Sequence, residues 1–284
     1  MIMKSTIFLL GLFFFASINF VSAQIAKVQV IHNSADAAAE YVDVYINGAL
    51  AIDNFMFRTA TPFIELPAGV NVEVAIAGSE SVSVSEAIAT FDYNLVSGET
   101  YVIVANGIVS AEGYSPATAF DLHVYAMGRE MASDENNTDV LVFHGSTDAP
   151  IVDVYESSVP AGTIIDNFAY GTFAGYLELP TNDYVLEVRD ETGMVTVVSY
   201  DAPLATLGLD GQALVVVASG FLNPAVNSDG AGFGLYVALA GGGELIPLPV
   251  TTLTGIESFE KMEFSLYPNP ASDYLNIKIG RAHV

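Results

Sequence analysis

Between residues 24 and 240 the hydrophobic positions fall in short apolar or alternating runs separated by turn residues, and no stretch sustains a helical period. In the first half the runs are 27–31, 41–46, 62–66, 71–77, 82–91, 101–105 and 120–126. In the second half they are 140–143, 152–155, 175–179, 184–189, 195–200, 214–218 and 234–239. Asn47-Gly48 marks a tight turn after the second run, because both residues tolerate positive φ. About seven short strands in about 100 residues, twice over, predict an all-β chain built as two tandem β-sandwiches.

The two halves are copies of one another. Residues 28–45 and 140–155 each read as an apolar strand, then His-x-Ser-x-Asp-Ala, then Val-Asp-Val-Tyr. His32 matches His144 and Asp36 matches Asp148 at an offset of 112, while Asp43 matches Asp153 at 110, because the second loop is two residues shorter. The register then settles at 113: Ile52-Asp53-Asn54-Phe55 with Ile165-Asp166-Asn167-Phe168, Glu65-Leu66-Pro67 with Glu178-Leu179-Pro180, and 101–107 with 214–220. A period this long means a duplicated domain, since solenoid units run roughly 20–50 residues. The expected domains are repeats at 26–127 and 139–240, an acidic polar linker at 128–138, and a Gly- and Pro-rich hinge at 241–255.

Both ends carry addresses. Residues 1–23 combine Lys4, an apolar run at 7–15 and Val21-Ser22-Ala23, the layout of a secretory signal peptide with Gln24 as the expected mature start. Near the other end, Tyr267-Pro268-Asn269-Pro270, Asp273 and the alternating Leu275-Asn276-Ile277 resemble the opening of the C-terminal sorting domain of type IX secretion substrates. That resemblance covers 256–279. It implies the type IX machinery as a partner and a route through the periplasm to the surface of a Gram-negative cell. Such domains run on for several more strands, so a truncated sorting segment is expected. Residues 279–284 match the in-frame translation of a common sequencing adapter, and 280–284 are expected to be an artefact.

Charge narrows the partners. With 33 acidic against 8 basic residues, nucleic acid and anionic membrane surfaces are poor partners, and divalent cations, basic partners or simple solubility stay open as reasons for the charge. There is no cysteine, so disulfides are excluded and stability rests on burial. No transmembrane anchor is expected, because the apolar run near the start is short and ends in a cleavage site.

The repeated polar residues are the candidate chemistry. His32, Ser34 and Asp36, with His144, Ser146 and Asp148, contain the residue types of a hydrolase relay. Three residues within five positions at a strand end seldom converge, and the competing reading is a strand-end His bonded to loop backbone with Ser and Asp making local turn bonds. Asp36, Asp43, Asp148 and Asp153 are candidate hard oxygen ligands for Ca²⁺. The alternation in Val-Asp-Val-Tyr also fits a solvated acidic face. Asp53-Asn54 and Asp166-Asn167 read as turns with the following Phe in the core. No catalytic residue and no cofactor-binding residue is assigned.

The paired His-x-Ser-x-Asp-Ala and Val-Asp-Val-Tyr elements, with Glu-Leu-Pro and the later Val-x-Val-Ala-x-Gly strand, resemble the bacterial family called domain of unknown function 4397. The resemblance covers 26–127 and 139–240, and it implies a secreted, often tandem, immunoglobulin-like or transthyretin-like sandwich. The expected function is a secreted or cell-surface, non-enzymatic protein acting in adhesion, ligand binding or spacing, with a surface glycan or protein as ligand. The alternatives are a carbohydrate- or polymer-binding accessory module of a secreted enzyme, and a small hydrolase using His, Ser and Asp.

Overall fold

The computed structural model describes residues 24–159 and 161–251. The expected signal peptide, sorting segment and terminal tract lie outside the described residues. The first repeat contributes β1 (Ile25–His32), β2 (Tyr41–Ile46), β3 (Ala49–Met56), β4 (Thr59–Ala60), β5 (Ile64–Pro67), β6 (Asn71–Gly78), β7 (Ala87–Asn94), β8 (Thr100–Asn106) and β9 (Asp121–Ala126). The second contributes β10 (Asn137–His144), β11 (Val152–Glu156), β12 (Gly162–Phe168), β13 (Phe173–Pro180), β14 (Asp183–Asp190), β15 (Thr196–Pro203), β16 (Ala213–Ser219) and β17 (Gly234–Leu239). The chain is all-β, as its patterning predicts, and each repeat folds into two facing sheets.

The outer sheets run β3-β2-β6-β7 and β12-β11-β14-β15, antiparallel throughout. The inner sheets are built around a central parallel pair, β1 with β8 and β10 with β16. β4, β5 and β9 flank the first pair, and β13 and β17 flank the second. Strands β3 and β12 are absent from the run pattern. Both lie at sheet edges and carry few buried residues. Both are interrupted at Asn54 and Asn167, each held at a φ of 52°, where the register against β2 and β11 shifts. The motif expected as a turn is thus a β-bulge within a strand, and Phe55 and Phe168 are buried just after it.

In the inner strands the hydrophobic pattern acquires its meaning. Along β8 and β16 nearly every side chain is buried, and β1 and β10 come close to that. Alternate residues serve different cores. Val28, Tyr101, Ile103 and Leu122 face the first outer sheet, while Val140, Leu214, Val216 and Val237 face the second. The intervening Ile31, Val102 and Val104 pack directly against Leu141, Phe143, Val215 and Val217 of the other repeat. The inner sheets therefore meet face to face, and the molecule is four sheets deep with three apolar layers between them. A strand covered on both faces reads as a continuous apolar run, which is what 101–105 and 214–218 are. Gln29 crosses the central layer: its buried Nε2 donates to the carbonyls of Thr61 and Leu239, one from each repeat. Arg58 reaches across as well, donating to Ser219 Oγ and the Gly232 carbonyl with its guanidinium 3.9 Å from the Tyr236 ring centroid.

The expected linker is exposed at 130–131 and 133–136 and is tied down at both ends. Arg129 stacks 4.6 Å from the Tyr176 ring centroid and pairs with the buried Asp139 and with Glu178. The expected hinge at 241–255 is not one as far as it is described. Gly243–Glu244 (β18) pairs with β4 of the first repeat, and Ile246–Pro247 (β19) pairs with β17 of the second. Leu245 enters the central layer and Leu248 enters the second sandwich. Thr251 N–H then donates to Ser199 on an outer strand. The segment is a strap across three sheets. Its glycines supply turn geometry, with φ of 72° at Gly242 and 100° at Gly243, and Pro247 sits in an edge strand where a missing N–H is tolerated.

A Cβ at Gly242 would stand 2.5 Å from backbone atoms of Thr61 and Pro62. Gly242→Ala is expected to cost at least the roughly 1–2 kcal/mol of a left-handed residue, whereas Gly241→Ala, which meets open space, is expected to stay within about 0.5 kcal/mol. Denaturant midpoints of the two variants check the strap.

Candidate functional site

The repeated polar motif sits where β1 and β10 end, at one end of each sandwich. His32 is fully buried on the core side of β1, and its Nε2 donates to the Ala39 carbonyl at 2.7 Å. That bond fixes Nδ1 as the acceptor, which takes the Ser34 N–H at 3.4 Å. Burial pushes the imidazole pKa down to about 4, against a smaller opposing effect of the Ala39 bond. Ser34 Oγ donates to the Gly107 carbonyl at 2.6 Å, just past the end of β8. Asp36 receives N–H groups from Ala38, Val109 and Ser110 and hydroxyls from Ser110 and Tyr114, all within 3.0 Å. Desolvation pushes its pKa up, but the bonds from Ala38, Ser110 and Tyr114 outweigh it and hold the carboxyl below its ordinary value.

The second copy repeats the scheme with differences. Ser146 Oγ donates to the Gly220 carbonyl at 2.7 Å. Asp148 receives the N–H groups of Leu222 and Asn223 at 2.8 Å each, together with the amide of the buried Asn227. His144 Nε2 reaches the Pro150 carbonyl at a longer 3.2 Å, and its Nδ1 is buried with no partner. Burial lowers the pKa of this ring too, partly offset by the Pro150 bond.

The geometry is a set of tethers. In each copy Ser and Asp bind the loop after β1 or β10 to the loop after β8 or β16, its parallel neighbour. No relay forms, because the serine hydroxyls give their protons to backbone carbonyls and the imidazoles face Ala39 and Pro150. The partners Ser110, Tyr114 and Asn227 were not legible as site residues. The available signal was spacing: the tethered pairs Val109-Ser110 and Leu222-Asn223 lie 113 residues apart, like Gly107 and Gly220.

The four candidate cation ligands are not brought together. Asp43, 1% exposed, receives the bulged Asn54 N–H at 2.9 Å and the N–H and hydroxyl of Ser81 at 3.0 and 2.6 Å. Desolvation raises its pKa, and the bonds from Asn54 and Ser81 outweigh that and leave it lowered. Asp153, 4% exposed, receives the bulged Asn167 N–H at 2.8 Å. These carboxylates pin the bulges of β3 and β12, while Asp36 and Asp148 lie in the end loops. Among the described residues no group of three or more acidic, His or Cys side chains converges on a cation position. The reading of Asp43 and Asp153 as a solvated face is also overturned. The turns after β6 and β14 fold over them, with Ser81 on Asp43 and Gly193 close to Asp153.

Each sandwich also contains a void between its own sheets, and the two differ in size. The first is about 40 Å³ and the second about 140 Å³, with apolar walls in both. The larger one is bordered by His144, Pro150, Val142, Leu186 and Leu222 among others.

The model of the domain of unknown function DUF4397 matches residues 26–155 and again 138–227, which takes in the first sandwich and the second as far as β16. The chain belongs to the DUF4397 family. No curated protein matches it. Among solved structures, a family 41 carbohydrate-binding module described under alpha-glucan recognition in streptococcal virulence factors aligns over 68% of this chain and 93% of its own. The identity is 12% and the TM-score 0.22, too low for the likeness to carry any argument. Among the described residues of this DUF4397 chain, no helix is long and apolar enough to cross a membrane.

Proposed function

We propose that this DUF4397 protein is an exported, non-catalytic binding body, presented at or beyond the cell surface, whose tandem sandwiches act as one rigid unit. The observation that carries the reading is the fused central layer, in which Ile31, Val102 and Val104 pack on Leu141, Phe143, Val215 and Val217. Two sandwiches joined this way hold their end loops at a fixed separation, which suits the presentation of paired surfaces. The internal bonding of His32, Ser34, Asp36 and their counterparts supports the non-catalytic part. Export rests on the signal-like 1–23 and on the sorting-like 256–279, which also names the type IX machinery as partner.

The test is an array of glycans and surface proteins probed with the purified full chain, run beside a panel of ester, amide and glycoside substrates. Saturable binding without turnover is the expected result. Turnover that Ser34→Ala or Ser146→Ala abolishes, with the fold retained, would overturn the non-catalytic reading. Absence of any saturable partner would overturn binding.

A further inference from the structure

The unequal voids accompany a difference in loop length. Between Asp36 and Val42 the first repeat has five residues, Ala-Ala-Ala-Glu-Tyr, and between Asp148 and Val152 the second has three, Ala-Pro-Ile. The longer loop makes a single 3-10 turn, capped by Asp36, that drives Ala39 into the end of the first sandwich. There Ala39 is fully buried against Val42, Val44, Phe55 and Ile76, and its carbonyl closes on His32 at 2.7 Å. The shorter loop has no counterpart to Ala39. The His144 contact lengthens to 3.2 Å, Nδ1 loses the backbone partner that His32 keeps, and the void behind it grows to about 140 Å³. Pro150 and Leu222, both exposed, border this end of the void.

We propose that the second sandwich is a binding site for a small, uncharged, largely apolar ligand about the size of one aromatic ring, admitted at the Pro150 and Leu222 end. An apolar cavity on the order of 150 Å³ stays dry and takes up benzene or xenon, and this one matches it in size and lining. Val142, Val154, Ile165, Leu186, Val188 and Val216 supply hydrocarbon from both sheets. The polar side chains on its border are those of His144, Tyr184 and Asp190. Tyr184 donates to the Pro180 carbonyl, and Asp190 receives Thr192 Oγ1 and the Val195 N–H. Burial lowers the pKa of His144, which disfavours its charged form. An anionic ligand would have no counterion there, the one carboxylate, Asp190, is already bonded to Thr192 and Val195, and a sugar would leave its hydroxyls unpaired. The proposal deepens the binding reading by placing a site inside the fold, and it fails separately from that reading because its test involves no glycan or protein partner.

The experiment is a titration of the full chain with benzene, followed by amide NMR, with glycerol as the polar control. Saturable shifts are expected on β10, β11, β14 and β16, with none on β1, β2, β6 or β8, and glycerol is expected to move nothing. Two variants locate the site. Val142→Phe fills the cavity, and exchange of residues 149–151 for Ala-Ala-Ala-Glu-Tyr restores the plug of the first repeat. Each is expected to lower benzene affinity about tenfold or more, equivalent to about 1.4 kcal/mol, and a variant is scored only if its amide spectrum stays dispersed. Dispersed wild-type spectra with no saturable shift overturn the proposal. So do shifts confined to the central layer between the sandwiches, or undiminished binding when the plug is restored.

Discussion

Phe143→Ala is expected to lower the unfolding free energy by about 3–5 kcal/mol, the range for deleting a large buried aromatic side chain. Phe143 lies on the face of β10 that points away from its own outer sheet. In an isolated two-layer sandwich that face would meet water, and the substitution would stay within about 0.5 kcal/mol. Here the side chain is completely buried, with ring centroids of Phe173 at 4.7 Å and His123 at 5.0 Å, and it packs on the first repeat. Equilibrium denaturation of the full chain measures the difference. Wild type is expected to unfold in one transition, because each sandwich completes the other's central layer. Loss of Phe143 is expected to separate that transition into two. A cost near zero would mean that the sandwiches do not share a core.

Acid is expected to weaken the fold well above the range in which carboxylates titrate. In the unfolded chain a histidine titrates near 6.5, whereas burial pushes His32 down to about 4. Between those values the unfolded state binds a proton that the native state refuses. Stability is therefore full above about pH 6.5 and falls as pH drops, with the loss from this residue reaching about 3 kcal/mol near pH 4. His144, lowered in the same direction by burial, adds to the loss over the same side of the titration. Asp36, also depressed, adds its share only as pH falls through its own lowered value. Urea midpoints between pH 4 and pH 7 test this. In His32→Gln, whose side-chain amide can still donate toward Ala39, the slope over that interval is expected to shrink markedly. An unchanged slope would mean that His32 is accessible to protons in the native state.

The tethers explain why the motif recurs in both copies. A parallel pair such as β1 and β8 has no hairpin to join its ends, so the loops leaving it are set by side chains. Ser34 and Asp36 do this from one strand, gripping Gly107 and 109–110 at the end of its neighbour, and Ser146 and Asp148 grip Gly220 and 222–223. Sequence reasoning recognised the local turn bonds but not their long-range targets, because a serine or aspartate in a loop looks the same whichever backbone it meets.

Much of the chain was determined by its sequence alone. The 113-residue register, the strand runs and the Asn47-Gly48 turn specify two sandwiches, because period-2 patterning and turn chemistry act over a few residues and need no distant partner. The continuous runs at 101–105 and 214–218 also required that both faces of those strands be covered. What covers them was decided only in three dimensions: each inner sheet is the other's cover, a pairing between the two repeats that joins residues as distant as Gln29 and Leu239 and that no local pattern encodes. The same holds for the Gly-Gly-Gly and Pro-Leu-Pro segment, whose composition suits a free hinge and a strap across three sheets equally well until Leu245 and Leu248 find apolar layers to enter. It holds for the two-residue deletion at 149–151, which in sequence is a shorter loop and in the folded protein is a missing plug, because a cavity is defined by the side chains that fail to meet.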